Sequence, residues 1–325
     1  MRFSLIHCHG SGNDFPLIDA RGLDLSADDW ARVARALADR AGPVGGDGLL
    51  LLRDGGEGAA FAMEMRNSDG SEAETCLNGL RCVARLGFER LGLEQSDGRV
   101  SVRLKTSLAS VERAADLAAN VPAVRETAAP VSLAIAAWPL LVAADDEGRL
   151  IEAPVPPLAS ERRFTAVAIP NPHLVAFVDR VDEAELVALG ERCEAAPDWL
   201  PNRANVSFVE VRGRDTLFVR TFERGVGLTD SCGSAMAASS FAACLTGRAA
   251  WEAPLTVFNK GGLVEALVRE DGTVTLTGNA TWEWAGSVEV DLATATARDV
   301  VVECRFDTET AAWAALLERI AARAG

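Results

Sequence analysis

The chain has 325 residues, of which 49% are hydrophobic and 24% charged, a composition typical of a globular protein large enough for two cores. Its net charge of −15 disfavours nucleic-acid binding, because neutralisation of phosphates by Lys and Arg supplies most of the non-specific affinity. The longest apolar stretch, residues 131–144, is too short to span a bilayer, and we expect no secretory leader. We therefore predict a cytoplasmic protein without nucleic-acid or membrane partners.

Metal and disulfide frameworks are also disfavoured by composition. The seven cysteines include no CxxC pair, and the three histidines show no metal-ligand spacing. An odd set of cysteines in a cytoplasmic chain is more typical of reduced thiols than of a disulfide scaffold. We predict no metal site.

In chain order, the first predicted helix covers residues 26–41, where Trp30, Val33 and Leu37 share one face and Ser26 with Asp29 resembles a capping box. Elsewhere short alternating segments bounded by turn residues predict strands. These segments are residues 100–104, 174–178, 205–211, 263–269, 273–277 and 288–292. Asp271-Gly272 predicts a hairpin turn. Residues 310–324 predict a last helix, which we expect to cap a core rather than to pair subunits.

Two segments share one pattern: a polar loop, a cysteine, and then a helix rich in Gly, Ala and Ser. They are residues 67–88, with Cys76, and residues 223–247, with Cys232. Residues 231–247 carry no charge, so the second helix must be buried on every side. A thiol at a helix N-terminus faces unpaired N–H groups and the helix dipole, which favour its thiolate. Two such thiols predict proton removal on one face of a substrate and proton return on the other.

A pyridoxal-type mechanism is disfavoured, because Lys105 and Lys260 are the only lysines and neither is a convincing Schiff-base residue. A cofactor-free route needs a general base, a general acid and electrostatic stabilisation of a carbanion. The two cysteine segments provide these features. We predict that no cofactor is required.

Several ordered blocks resemble those of the diaminopimelate epimerase family: residues 9–20, 38–52, 67–88, 169–175, 202–211 and 223–247. The resemblance implies an α+β fold of two pseudo-symmetric domains, each a β-barrel-like sheet around a central helix, with the active site in the cleft between them. It implies a first domain of residues 1–125 plus 286–325 and a second of residues 126–285. The sequence leaves a homodimer open.

The resemblance also implies the site. Cys76 and Cys232 are the catalytic pair, and six polar residues fall on family positions that contact substrate: Asn13, Asn67, Asn171, Asn205, Glu223 and Arg224. Independently of the resemblance, we expect the backbone N–H groups at the two helix starts to hold the substrate carboxylate, from Leu77, Asn78, Gly233 and Ser234. His9 and His173 are expected to be supporting groups. The implied reaction is conversion of LL-diaminopimelate to its meso form, in lysine and cell-wall precursor biosynthesis.

A few positions depart from the usual family pattern. Leu77 stands where a Gly usually follows the first cysteine, and Asn279 stands where a Pro is usual; Leu228 and Asp230-Ser231 also differ. These departures keep two alternatives open. One is a cofactor-independent racemase of another amino acid on the same scaffold, and the other is a non-catalytic relative that binds an amino acid.

Overall fold

The structure is a computed structural model that describes residues 1–56, 58–73, 76–93, 98–128 and 130–324. The chain divides into two compact units. Unit 1 comprises Met1–Glu126 and Thr277–Gly325, and unit 2 comprises Thr127–Leu276. The return to unit 1 thus falls before Gly286, the position favoured by the sequence.

The described residues form eighteen strands and five α-helices. The strands are β1 (Arg2–Gly10), β2 (Asn13–Asp19), β3 (Gly48–Asp54), β4 (Phe61–Asn67), β5 (Val100–Arg103), β6 (Leu108–Ala118), β7 (Val121–Thr127), β8 (Ala153–Pro154), β9 (Arg163–Ala168), β10 (Pro172–Phe177), β11 (Asn205–Gly213), β12 (Thr216–Glu223), β13 (Gly227–Thr229), β14 (Pro254–Phe258), β15 (Leu263–Val268), β16 (Val274–Asn279), β17 (Thr281–Asp291) and β18 (Thr296–Arg305). The helices are α1 (Ala27–Ala38), α2 (Leu77–Arg90), α3 (Glu183–Glu194), α4 (Gly233–Leu245) and α5 (Asp307–Ala324).

The two units repeat one topology. In unit 1, β1 and β2 pair antiparallel, and after α1 the strand β3 joins β2 in parallel. β4 then pairs antiparallel with β3. After α2, the strand β5 lies parallel to β4 and antiparallel to β6. In unit 2, β9, β10, α3, β11, β12, α4, β14 and β15 follow in the same order with the same pairings. The predicted pseudo-symmetric α+β fold is confirmed.

Each unit wraps its sheet around one helix. α2 packs against β1, β2, β3, β4 and β6, and α4 packs against β9, β10, β11, β12, β14 and β15. Every residue of α4 except Leu245 is buried, as its lack of charge predicts. Two glycines of α2 allow close approach, since a Cβ at Gly79 would lie 2.7 Å from Leu50 and one at Gly87 would lie 2.7 Å from Phe61. The buried central helices are confirmed.

A second helix covers the outer face of each sheet. In unit 1, Trp30, Val33 and Leu37 of α1 pack in one core cluster with Leu49 and Leu51 of β3. Neighbouring positions of β3 face α2, so residues 49–52 are all buried. The amphipathic pattern of α1 and the Ser26 cap, whose Oγ accepts from the Asp29 N–H at 3.1 Å, are confirmed.

The C-terminal helix α5 packs on unit 1. Trp313 and Leu316 are buried, and the Trp313 ring lies 5.7 Å from the His9 ring. Glu309 accepts two hydrogen bonds from Arg85, at 2.7 and 2.8 Å, which fix α5 to α2. These contacts agree with a capping role for the helix.

Gly286 lies inside β17 rather than at a linker. A Cβ at this position would lie 2.1 Å from the Val301 carbonyl of β18, at an irregularity in the pairing of the two strands. A glycine is therefore required here for close backbone approach, which the sequence pattern does not distinguish from a turn. No helix in the described part of the chain is both long and apolar enough to cross a membrane.

Candidate active site

Cys76 is the N-cap residue of α2 in unit 1. Its side chain is half-buried, and its Sγ accepts from the Gly79 N–H at 3.3 Å. The thiol also lies 3.7 Å from the amide oxygen of Asn13, at the first position of β2, and Asn78 Nδ2 lies 3.5 Å from the same oxygen. Asn67, at the end of β4, donates to Ser71 at 2.9 Å and so orders the loop that follows it. The first half-site thus combines a thiol, helix-start N–H groups and asparagine amides.

Cys232 is the N-cap residue of α4 in unit 2. It is 8% exposed, and its Sγ lies 3.5 Å from the Ser234 hydroxyl. Ser234 in turn accepts from Asn171 Nδ2 at 3.1 Å, just before β10. Gly233 is the first residue of α4, so its backbone N–H lies in the first turn beside the backbone N–H of Ser234. The predicted placement of both cysteines at the starts of buried helices is confirmed.

The electrostatics of Cys232 differ from the sequence expectation. Burial raises the pKa of the Cys232 thiol well above its ordinary value, and the nearby Glu223 carboxylate raises it further. The expectation that the helix start lowers the thiol pKa is therefore wrong for this cysteine. Desolvation of the thiolate and a neighbouring negative charge outweigh the helix dipole. Cys232 rests as a neutral thiol, which can donate a proton.

Glu223 and Arg224 end β12 and begin the turn to β13. Glu223 Oε1 accepts from the Thr229 hydroxyl at 2.5 Å, and the Arg224 N–H donates to the Asn205 amide oxygen at 2.9 Å. Among the described residues, no carboxylate lies within 4.0 Å of the Arg224 guanidinium, which donates to the Asn202 carbonyl at 3.2 Å. Arg224 thus offers a cation that can pair with an anionic ligand.

The two predicted supporting histidines are buried and neutral. His9 Nδ1 accepts from the Gly12 N–H at 3.4 Å and from Asn279 Nδ2 at 3.2 Å, and burial lowers its pKa. His173 is fully buried, and burial, followed by the charge of Arg224, lowers its pKa to about 3. Its Nε2 lies 3.2 Å from the Asn171 amide oxygen. The rings can hold neighbouring amides in place, and neither carries a charge at neutral pH.

Departures from the usual pattern find local explanations. Leu77 is 9% exposed, begins α2, and is absent from the residues with positive φ, so its side chain causes no backbone strain. Leu228 packs against the core of unit 2. Ser231 accepts from Asn259 Nδ2 at 2.8 Å, beside Cys232.

Some residues of the half-sites escape sequence reasoning. Asp47, which no sequence motif singles out, accepts from Asn13 Nδ2 and pairs with Arg40 at 2.6 Å. Thr229 contacts Glu223, although only its place in the second cysteine segment hints at a role. Within the described residues, no group of three or more His, Cys, Asp or Glu side chains is arranged to hold a metal ion.

Known proteins match this chain over most of its length. The sequence model of the Diaminopimelate epimerase family matches residues 6–116 and 165–283. A diaminopimelate epimerase of Clostridium acetobutylicum is 36% identical over 95% of this chain and 92% of its own length. One from Enterococcus faecalis is 40% identical over 84% of this chain and 85% of its own length.

Solved structures show the same fold at low identity. A PhzF-family phenazine biosynthesis protein of Bacillus anthracis superposes with a TM-score of 0.63 at 14% identity, over 89% of this chain and all (100%) of that chain. A hydroxyproline epimerase of Agrobacterium vitis superposes with a TM-score of 0.60 at 14% identity, over 90% of this chain and 92% of that chain. The fold, the paired cysteines and the sequence matches lead to one conclusion: the chain belongs to the diaminopimelate epimerase family.

Proposed function

We propose that this protein is an isomerase that converts LL-diaminopimelate to meso-diaminopimelate without a cofactor, in lysine and cell-wall precursor biosynthesis. The observation that carries the proposal is the pair of cysteines at equivalent N-cap positions of the two repeated helices. The choice of substrate is supported by relatives that carry the name diaminopimelate epimerase, at 36% and 40% identity.

The reaction is a proton transfer at the α-carbon. One cysteine, as thiolate, takes the α-proton, and the electron pair of the C–H bond passes to a carbanion stabilised by the adjacent carboxylate. The other cysteine, as thiol, gives its proton to the opposite face, so the centre inverts. The two cysteines have then exchanged protonation states, and the reverse reaction uses them in the opposite roles. The raised pKa of Cys232 supports its role as proton donor at rest.

Stabilisation of the carbanion comes from the helix starts. We assign the reacting carboxylate to the N–H groups of Leu77 and Asn78 in α2 and of Gly233 and Ser234 in α4. Hydrogen bonds to the carboxylate gain strength as negative charge develops on it, and this lowers the barrier to deprotonation.

The distal end of the substrate carries a second ammonium and a second carboxylate. Arg224 has the geometry for a two-pronged hydrogen bond to a carboxylate, and Glu223 supplies the negative charge that an ammonium needs. Amide groups complete the set that we assign to the substrate: Asn13, Asn67, Asn171 and Asn205. A small amino acid such as proline has no group for this distal set, which favours a substrate with two amino-carboxylate ends.

The test is incubation of the reduced protein with LL-diaminopimelate in deuterium oxide, with Cys76→Ala and Cys232→Ala in parallel. We expect meso product carrying one solvent deuterium at the inverted carbon, and loss of turnover in both variants. Turnover of another amino acid in place of diaminopimelate would favour the racemase alternative. Binding of an amino acid without exchange in the folded wild type would favour the non-catalytic alternative. Cytoplasmic location and a homodimer stay predictions, which fractionation and sedimentation would test.

A further inference from the structure

A buried polar cluster in unit 1 lies behind the Cys76 half-site, and its charged members, Arg81 and Glu126, have no part in the chemistry proposed above. At its centre is Arg81 of α2, whose side chain is fully buried. Its Nη1 donates to Glu126 Oε1 at 2.7 Å, and its Nη2 donates to Asn78 Oδ1 at 2.7 Å and to Ser11 Oγ at 3.1 Å. Its Nε donates to the Asn279 carbonyl at 3.1 Å. Burial of two charges carries a desolvation cost that their attraction barely offsets, so stability alone does not explain the pair.

The cluster is continuous with the thiol. Asn78, which Arg81 holds through its amide oxygen, directs its Nδ2 to the Asn13 oxygen at 3.5 Å. The same Asn13 oxygen lies 3.7 Å from Cys76 Sγ. Arg81 is therefore connected to the thiol through two amide side chains, both of which belong to the proposed substrate set.

The cluster also fixes the turn that presents Asn13. Ser11 and Gly12 form this β1–β2 turn with φ of 53° and 81°. The Ser11 N–H donates to Asn279 Oδ1 at 2.7 Å, while Ser11 Oγ accepts from Arg81. Gly10 packs directly on α2, since a Cβ there would lie 2.5 Å from the Asn78 carbonyl oxygen. The turn thus has little freedom to move relative to the start of α2.

The charge balance of the cluster is delicate. Glu126 is fully buried, and its second oxygen, Oε2, makes no hydrogen bond within the described residues. Burial raises the pKa of Glu126 to about 7, although the Arg81 charge opposes the shift. The positive charge of Arg81 is thus only partly compensated near neutral pH.

We propose that Arg81, together with Glu126 and Asn279, is a positioning device for the first half-site. It holds the Asn13 amide against the Cys76 thiol and sets the net charge that the thiol experiences. This role deepens the proposed function, on which its kinetic consequences rest. Its electrostatic consequence is a property of the free protein and can be measured without substrate.

The first test is the pH profile of Cys76 alkylation by iodoacetamide in Glu126→Gln, read from the Cys76 peptide by mass spectrometry. Gln keeps the hydrogen bond to Arg81 but removes the negative charge, so the thiolate should be favoured. We expect the pH at which the alkylation rate of Cys76 is half its maximum, the half-alkylation pH, to fall by about half a unit or more. Glu309→Gln is the matched control. It removes the charge of Glu309, the partner of Arg85, which lies on α2 like Arg81 but is not connected to Asn13. Its profile should stay at the wild-type position.

An unchanged profile in Glu126→Gln, or an equal shift in Glu309→Gln, would overturn the proposal. Asn279→Ala provides a second test that leaves every charge in place. It frees the β1–β2 turn, so we expect kcat/KM for diaminopimelate to fall roughly tenfold, with KM raised and the near-UV circular dichroism retained. If Glu126→Gln does not fold, wild-type kinetics in Asn279→Ala would be decisive against the proposal. If the wild type shows no turnover of diaminopimelate, the proposed function fails, while the alkylation comparison still decides the role of Arg81.

Discussion

The two half-sites have the same backbone arrangement but differ in the charge of their side chains. Each has a cysteine at the N-cap of a buried helix that follows the same strand of the repeat. At the end of that strand unit 1 has Asn67, whereas unit 2 has Glu223. Cys76 is half-buried and accepts an N–H bond, whereas Cys232 is buried with its pKa raised by desolvation and by Glu223. The repeated topology thus supplies equivalent positions, and the difference in burial together with the strand-end residue makes the two thiols chemically unlike.

The largest expected contrast is in the pH dependence of stability. The pKa of His173 in unit 2 is about 3, below 6.5, so its contribution is present above pH 6.5 and lost as the pH falls towards 3. The pKa of Glu126 in unit 1 is about 7, above 4.5, so its contribution is present below pH 4.5 and lost as the pH rises through 7. Between pH 4 and pH 8 we expect each group to change the free energy of unfolding by about 3 kcal/mol.

Urea unfolding between pH 4 and pH 8 measures both effects. Because the two titration ranges overlap, each effect is read as the difference between variant and wild type. His173→Gln should gain stability relative to the wild type as the pH falls from 6.5 to 4, and Glu126→Gln should gain stability relative to the wild type as the pH rises from 4.5 to 7. A difference that stays constant with pH would contradict the assignment of that group.

Exchange of the strand-end residues would test the origin of the difference between the thiols. Glu223→Gln removes the carboxylate beside Cys232, so half-alkylation of Cys232 should move to lower pH. Because the proposed partner of the substrate ammonium is also lost, kcat/KM should fall about 100-fold. Asn67→Asp places a carboxylate at the equivalent position of unit 1, and half-alkylation of Cys76 should move to higher pH. Unmoved profiles in both variants would show that burial alone separates the thiols.

We expect binding of the distal end of the substrate in unit 2 only. Arg224 follows Glu223 there, whereas Ser68 follows Asn67 in unit 1. Arg224→Lys retains the charge but loses the two-pronged geometry, so KM for diaminopimelate should rise about tenfold with a smaller change in kcat. Arg203→Lys is the matched control, since Arg203 pairs with Glu194 at 2.5 Å in the same unit. A larger effect on kcat than on KM would contradict a binding role.

The smallest effect concerns helix packing. The third residue after the cysteine is Gly79 in α2 and Ala235 in α4. Gly79→Ala gives unit 1 the residue of unit 2, but the new Cβ would meet Leu50 at 2.7 Å. We expect a loss of about 1 to 2 kcal/mol in urea unfolding. Rescue by Leu50→Val in the double variant would confirm the contact, and additive losses would exclude it.

The sequence predicts the local features of this protein and misses the long-range ones. The absence of charge in residues 231–247 is enough to predict a helix buried all round, and the cysteines mark both helix starts. By contrast, Arg81 donates hydrogen bonds to Glu126 and Asn279, which are 45 and 198 residues away in the sequence. No local sequence pattern predicts such partners. The raised pKa of Cys232 depends in the same way on burial by distant strands, although Glu223, which adds to it, lies in the same cysteine segment.

The burial of α4 has a practical consequence. A helix without charged side chains has no ion pairs along its surface, and a segment of 13 residues is marginal on its own in water, so α4 depends on the sheet around it. Opening of that sheet would therefore unwind α4 and expose Cys244, a buried thiol near the end of the helix that has no part in the proposed chemistry. The rate at which a bulky thiol reagent labels Cys244 then reports the fraction of molecules in which unit 2 is transiently open.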